Sequence, residues 1–557
     1  MNATLLLLVW SWPLLLAVLA GQRHARWITV VGPLPALLAA AIVPVGTSIS
    51  LPWLLLGVEL GLDDIGCVFL LFSALLWLIA GLYEVGSTAA GGHGARYRVF
   101  FLLAMAGNLG LIVAQDTVSF YLGFTLMGMA AYGLIVHPAT RRARLAARRY
   151  LAWTIAGELI LFTAIVMLAM QHGGALAFFN LQSSPPAGFV VLLLVIGFGI
   201  KLALPGLHLW LPRTYAVAPT SAVAVLSGAM IKAGLLGWLR FLPPGDAALA
   251  GWGQALMITG VVGIFFGAVF GLLQQRPRLL LGYSSISKMG VLTAGMGATL
   301  AWPLAAPALT SALVLYAAHH ALVKGGLFLG LGLVERGGLR PWLLAGLGFL
   351  ALALAGAPLT SGALAKSVLT ASLPAEAGYL VALLAAGAFA TTLLMARFLF
   401  LIWQQRDSTA RPYAAQATIA WLALLAVIVT FPLVLAGTGL LPADVVPLSL
   451  GVLLSAVLLL AADRLPRYPV MQQRHQAARR LAVRSAIAIR HLICAWERLS
   501  CSLRTRWHKR DESFQQTLRV SLEKLQRSAG SRDRWSLAGG LWLGIGGLLL
   551  AAFITTG

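Results

Sequence analysis

The stretch Ala187-Gly-Phe-Val-Val-Leu-Leu-Leu-Val-Ile-Gly-Phe-Gly-Ile-Lys201-Leu-Ala-Leu204 carries a single charge, one lysine, and Pro205 follows it. A helix of that length approaches the ~30 Å hydrocarbon core of a bilayer. Apolar runs of this kind recur from Thr4 to Phe553 in a chain of 557 residues that is 60% hydrophobic and only 10% charged. Soluble domains are roughly a quarter charged, so a water-soluble globule is excluded. The sequence reads as an all-α polytopic membrane protein. Its 17 Trp, 59 Gly and 25 Pro agree, because interfacial aromatics and helix-interior Gly and Pro are commoner in membrane helices.

Hydropathy places spans at about 4–20, 28–45, 65–83, 97–113, 118–137, 150–170, 187–204, 220–241, 252–272, 281–300, 308–333, 342–373, 379–403, 416–437, 447–463 and 536–555, about sixteen in all. The net charge of +23 could point to nucleic acid, but its distribution points to a membrane. With the amino terminus outside, the cytoplasmic loops carry Arg23, Arg26, Arg96, Arg98, Arg141, Arg142, Arg144, Arg148, Arg149, Arg213, Arg276, Arg278, Arg336, Arg340, Arg406 and Arg411. The opposite loops carry mostly acids: Glu59, Asp63, Asp64, Asp116, Glu376 and Asp444. Arg240, near Asp246, departs from that alternation, which is otherwise the positive-inside pattern of a multi-pass inner (plasma) membrane protein. The first span lacks a basic n-region and a clear A-x-A site and reads as retained.

After Asp463 the composition changes. Residues 464–534 hold seventeen Lys or Arg against five acids, ahead of a last apolar segment at 535–557. Leu492, Trp496, Leu499, Leu503 and Trp507 recur at steps of three or four, as on one face of an amphipathic helix. Over 475–528 such a helix would run roughly 80 Å at 1.5 Å per residue, too long to cross a bilayer. It should lie along the cytoplasmic surface, against anionic headgroups or as a strap on neighbouring subunits.

Of seven lysines, Lys201, Lys232, Lys288, Lys324 and Lys366 fall inside or at the edge of apolar spans. A lysine near the bilayer centre costs at least ~2.5–3.5 kcal/mol. Unlike arginine, it can give up its proton when buried. Lys288 follows the loop at Arg276 and Arg278 closely enough to snorkel; the other four read as functional. His320 and Lys324 stand at i and i+4 on one helix, with His319 beside them, as a relay would need. Glu158 is the one acid well placed within an expected span and is the natural counter-ion for a buried lysine. No third ligand accompanies the histidines, so no metal site is expected. Cys67, Cys494 and Cys501 form neither a cluster nor a disulfide framework.

Two spans are broken near these charges. Lys201 precedes Pro205 and His208-Leu-Trp-Leu-Pro212, and Pro358-Leu-Thr-Ser-Gly362 precedes Lys366. Broken helices in corresponding positions of two halves point to a transporter built from inverted repeats.

These stretches, with Ala218-Pro-Thr-Ser221, Leu226-Ser-Gly-Ala-Met-Ile-Lys232, Leu281-Gly-Tyr-Ser-Ser-Ile-Ser-Lys-Met-Gly290 and His320-Ala-Leu-Val-Lys324, resemble the proton-conducting antiporter-like subunits of respiratory complex I, Mrp antiporters and membrane-bound hydrogenases. The membrane component of inorganic-carbon accumulation systems resembles the same family. The resemblance covers roughly residues 60–405 and implies two inverted five-helix repeats, at 97–241 and 252–403. They would stand between N-terminal helices at 1–96 and peripheral ones at 404–463, with the lateral helix and final span beyond. It also implies a proton path along Lys201, Lys232, His320, Lys324 and Lys366. One departure stands out: the family's fifth-helix Trp-Glu-Leu-Met reads Phe124-Thr-Leu-Met127 here, so Thr125 replaces the acid that pairs with the broken-helix lysine. Glu158 would take over, or the entry half of the path would differ.

The expected function is a proton- or cation-translocating subunit, coupled to membrane or peripheral partner subunits contacted through 475–528. The alternatives are the membrane half of a Mrp-like or inorganic-carbon transporter, or a non-conducting scaffold. Cysteine clusters, dinucleotide fingerprints and nucleotide loops are missing from the sequence, so no cofactor is expected and the chain would serve an oxidoreductase only as its pump.

Overall fold

The computed structural model describes residues 2–435, apart from 23–24, 55, 87–93, 182–184 and 405–412. The spans expected at 447–463 and 536–555, the basic helix between them, and Arg23, Arg406, Arg411, Asp444, Cys494 and Cys501 lie outside the described residues.

The chain opens with α1 (Asn2–Leu19), the pair α2 (Ile28–Val31) and α3 (Leu34–Ile42), strands β1 (Thr47–Leu51) and β2 (Val58–Leu62), and α4 (Asp64–Val85). Next come α5 (Gly94–Val113), α6 (Thr117–Val136), α7 (Arg141–Gln171) and the single turn α8 (Phe178–Leu181). A broken span, α9 (Gly188–Leu202) and α10 (Leu211–Val217), leads to α11 (Thr220–Gly228) and α12 (Ala233–Phe241). The same order then returns: α13 (Ala250–Leu272), α14 (Pro277–Ala301), α15 (Ala306–Gly337), a second broken span of α16 (Pro341–Ala355) and α17 (Ser361–Ala371), and α18 (Gly378–Trp403). Helix α19 (Ala415–Leu435) closes the described part. Each of the first fourteen expected spans falls on a helix or a helix pair. Among the described residues nine helices are long and apolar enough to cross a membrane, and shorter apolar ones accompany them.

The β-hairpin amends the all-α expectation. Thr47–Leu51 and Val58–Leu62 pair antiparallel, Thr47 opposite Leu62. Their apolar residues alternate with small or polar ones, a period of two that a hydropathy window averages away. The hairpin fastens loops at one face: Gln115 N–H donates to Glu59 O at 2.8 Å, and Asp116 Oδ2 accepts from Glu59 N at 2.9 Å. Asp116 Oδ1 also caps α6 through Ser119 N at 2.8 Å.

At that face Arg240 finds its reason. It is 5% exposed and makes a bidentate pair with Asp63, Nη1 to Oδ2 at 2.6 Å and Nη2 to Oδ1 at 2.7 Å. Asp63 also caps α4 through Gly66 N. The arginine's partner is therefore Asp63, far away in sequence, rather than the nearby Asp246. At the opposite, arginine-rich face, Arg278 holds Glu335 at 2.6 Å, Ala218 O at 2.8 Å and Thr220 Oγ1 at 2.9 Å, tying α14 to α15 and the start of α11.

Between the faces, α13 and α14 pack backbone on backbone. Gly253, Gly260 and Gly267 recur every seven residues on α13, and a Cβ on Gly260 would run into Ala294 N and Gly290 O of α14. Small residues at the contact let membrane helices approach this closely, where packing rather than hydrophobic expulsion holds them.

Candidate functional site

Both broken spans leave helix ends at membrane depth, and both are satisfied locally. Ala203 turns left-handed (φ +57°) after α9, and Gly206 follows at φ +86°. Leu204 N–H returns to Gly199 O at 3.1 Å, while Trp210 Nε1 donates to Ile200 O at 2.8 Å. Pro205 has no N–H to lose. Unwound backbone survives in a membrane only when protein or internal water takes up its polar groups in this way. In the second break Gly356 stands at φ +88° and Leu359 at φ +64°, and Thr360 caps α17.

The first break puts Lys201 in the last turn of α9, where a cation faces the negative end of the helix dipole. Lys201 is 5% exposed, donates to Tyr150 Oη at 3.4 Å and lies 5.4 Å from the Phe124 ring centroid. Tyr150 Oη donates in turn to Gly128 O at 3.1 Å. Glu158 reaches the same spot from α7: its Oε1 lies 2.6 Å from where a Cβ of Gly128 would stand, one turn along α6 from Thr125. Glu158 and Lys201 interact through their charges, and Glu158 Oε1 has no hydrogen-bond partner among the described residues. A glycine at 128 thus makes room for a carboxylate beside the position where the fifth-helix acid is missing.

Lys232 occupies a tight turn between α11 and α12 and donates to Ser227 O at 2.7 Å. Lys324, fully buried on α15, donates to Leu281 O of α14 at 3.0 Å. His320, one turn away, is also fully buried, and neither of its ring nitrogens has a hydrogen-bond partner among the described residues. A buried polar group left unpaired costs roughly 1–3 kcal/mol, and internal water is its usual remedy. His319 is satisfied, its Nδ1 sharing a hydrogen bond with Ser361 Oγ at 2.9 Å, which ties α15 to the start of α17.

Lys288 does not snorkel out: it is 4% exposed and donates to Tyr316 Oη at 3.4 Å. It shares with His319, Tyr316 and Lys366 a cavity with about 20 Å³ of space for water, roughly one molecule. His208, in the first break, packs on Phe266 with ring centroids 4.7 Å apart, and its buried Nδ1 has no hydrogen-bond partner among the described residues. The charges follow one another: Glu158 beside Lys201, Lys232 near Lys324, Lys324 near Lys288, and Lys288 near Lys366. The arrangement holds titratable groups from six spans, with orphaned polar atoms among them for water to bridge.

Residues 114–394 match the family profile described as NADH:quinone oxidoreductase/Mrp antiporter, TM. The chain belongs to this family. Hydrogenase-4 component B of Escherichia coli (strain K12) is 29% identical over 49% of this chain and 43% of its own length. NADH-quinone oxidoreductase subunit N of Desulforudis audaxviator (strain MP104C) is 31% identical over 50% of this chain and 56% of its own. The chain spans about half the length of the curated relatives it matches. A chain in the structure of the Mrp complex from Dietzia sp. DQ12-45-1b superposes with a TM-score of 0.71 at 24% identity, covering 87% of this chain and 59% of that one, which supports the fold. As an NADH:quinone oxidoreductase/Mrp antiporter family member, this multi-pass membrane protein carries one acid its hydropathy left out. Glu84 lies in the last turn of α4, one residue beyond the span expected at 65–83, and accepts a hydrogen bond from Ser221 Oγ. Glu158 stands well inside its span, whereas Glu84 lies at the edge of one, where the length of α4 rather than its hydropathy brings it in.

Proposed function

We propose that the chain is the proton- or monovalent-cation-translocating membrane subunit of a multi-subunit complex, moving charge along Glu158, Lys201, Lys232, His320, Lys324, Lys288 and Lys366. The observation that carries this reading is the set of lysines, Lys201, Lys232, Lys288 and Lys324 buried and Lys366 half-buried, held in spans where each idle ammonium would cost at least ~2.5–3.5 kcal/mol. The neighbouring charges make it chemical: a proton taken up at one lysine disfavours the ammonium at the next, so charge moves on rather than accumulating. Two breaks at corresponding places put a lysine near a half-helix end in each half, as inverted repeats would. The basic loops face the cytoplasm in this reading. The lateral helix expected at 475–528 fastens the partner that supplies energy.

Replacing Lys324 by Met in membranes holding normal amounts of protein is the test. Transport should stop, and wild-type transport would remove the conduction reading. Thr125 favours one alternative, a path whose entry half is altered. In that case Glu158→Gln and Lys201→Met would both leave transport untouched.

A further inference from the structure

Glu84 is a carboxylate in a span that no part of the lysine line uses. Three helices converge on it. Tyr97 of α5 and Ser221 of α11 share a hydrogen bond at 2.7 Å, and the Ser221 hydroxyl donates to Glu84 Oε2. With the serine proton committed to the carboxylate, Tyr97 is the donor to the serine, so two hydroxyls stand in series on one acid. The Arg336 guanidinium lies 5.8 Å from the ring centroid of Tyr83, beside Glu84, and its positive charge reaches the carboxylate. His137, at the end of α6, packs edge-on against Tyr97 with centroids 5.0 Å apart. Arg278 and Glu335 complete the charged surroundings, and the Glu335 side chain is 35% exposed at the arginine-rich face. The acid is thus half-buried, joined to hydroxyls, and close to the arginine-rich face.

The same cluster lies on the side of Lys324 toward the arginine-rich face. Arg278 and Leu281 are one turn apart on α14, about 4.5 Å along its axis, and Leu281 O is the atom that accepts from Lys324 Nζ at 3.0 Å. On α15, Gly332 lies about 12 Å above Lys324, and a Cβ there would meet Tyr83 Oη at 2.6 Å and Thr220 Oγ1 at 2.7 Å. The lysine therefore reaches toward the cluster rather than away from it. Ser284 Oγ, one turn beyond Leu281, and Tyr215 Oη are buried hydroxyls without hydrogen-bond partners among the described residues. Water is the usual partner of such groups.

We infer that Glu84 is a proton-loading site that feeds Lys324 from the arginine-rich face, by a route that does not pass through Glu158 and Lys201. A proton from solution adds to the Glu84 carboxylate. It then passes along internal water to the neutral amine of Lys324, which becomes an ammonium while Glu84 returns to the carboxylate that the Tyr97 and Ser221 hydroxyls, donating in series, hold ready. No other reactant is consumed. This route rests on the conduction reading above, and it supplies an entry in a chain whose fifth-helix acid is Thr125.

The test uses membrane vesicles containing the full chain with its native partners, arginine-rich face outward, and a trapped pH dye that reports uptake after an external acid jump. Glutamine at 84 still accepts from Ser221 but cannot carry a proton, so the helix contact persists while the chemistry is lost. Glu84→Gln should slow uptake at least about a hundredfold, the lower side of what a positioned proton-transfer group contributes, and Glu84→Asp should recover most of it. Wild-type uptake in Glu84→Gln alongside stalled uptake in Lys324→Met overturns the route and leaves the conduction reading standing. Wild-type uptake in both variants overturns both. If Glu84→Gln does not accumulate, wild-type protein is treated with dicyclohexylcarbodiimide, which modifies protonated carboxyls in apolar surroundings. Modification of Glu84 in step with lost uptake supports the route, and full uptake with Glu84 modified overturns it.

Discussion

Gly128 shows how much one missing side chain can decide. Glu158 Oε1 lies 2.6 Å from where the Cβ of residue 128 would be, one turn from Thr125 and within reach of the Lys201 charge. If Glu158 stands in for the absent acid, Glu158→Gln should lower transport about a hundredfold or more, as removal of a positioned proton-transfer group does. Thr125→Glu in that background should restore a measurable part. Unaltered transport in Glu158→Gln would sink the substitution idea. A second residue-scale expectation concerns Asp63 at the opposite face. Burial pushes its carboxyl upward, but the charge and hydrogen bonds of Arg240, with Gly66 N–H, outweigh burial and hold it below the usual carboxylate range. A depressed folded pKa gives stability that is fully present above the unfolded value of about 3.9 and is lost as pH falls through the folded one. Asp63→Asn should therefore lower the thermal midpoint in detergent at pH 7, and the gap from wild type should narrow below about pH 4. A gap that stays constant with pH would count against the pairing.

At the scale of elements, the α13 and α14 contact and the two breaks impose opposite demands on small residues. Gly260 is needed for closeness: any Cβ meets the backbone of α14, which cannot move aside as a flexible side chain can. Gly260→Leu should destabilise the protein by about 1–3 kcal/mol or more, the range of overpacked sites. Gly251→Ala on the same helix, where a Cβ meets nothing within 4 Å, should be silent. Thermal midpoints of the two variants make the comparison, and equal midpoints would show that α13 and α14 are not held by this contact. Gly206 and Gly356 serve conformation instead, since φ values of +86° and +88° strain any residue with a Cβ. The breaks were legible from Pro205 and Pro358, but the left-handed Ala203 and Leu359 were not, because nothing local marks an alanine or a leucine for that region.

For the whole molecule, the described helices form one body around α15, which is buried along most of its length and carries His319, His320 and Lys324 in its middle. The hydrogen bond from His319 to Ser361 and that from Lys324 to Leu281 tie it to α17 and α14. The basic segment beyond residue 464 belongs to a different task in our reading. Truncation after about residue 470 should leave the described spans inserted and folded while a partner subunit is lost from the purified complex. Cross-links from positions 496 and 507 should then reach protein; adducts to lipid alone, with assembly unchanged, would favour a simple surface helix.

Much of this architecture is local in its cause. The cost of placing charge in hydrocarbon is set residue by residue, so the spans, the lysines within them and the proline breaks could all be read along the chain. Pairings across helices have no such local cause. Arg240 and Asp63 are 177 residues apart, and Ser221 and Glu84 are 137 apart. Their meeting depends on how glycine-lined faces pack and on which turn of each helix arrives at the contact. The sequence by itself therefore determined which residues must cross the membrane and which of them are too costly to be idle. Only the tertiary structure decided that Glu158 packs against Gly128, that Arg240 belongs to Asp63, and that Ser221 meets Glu84, because each rests on the distance between helices rather than on the identity of neighbours in the chain.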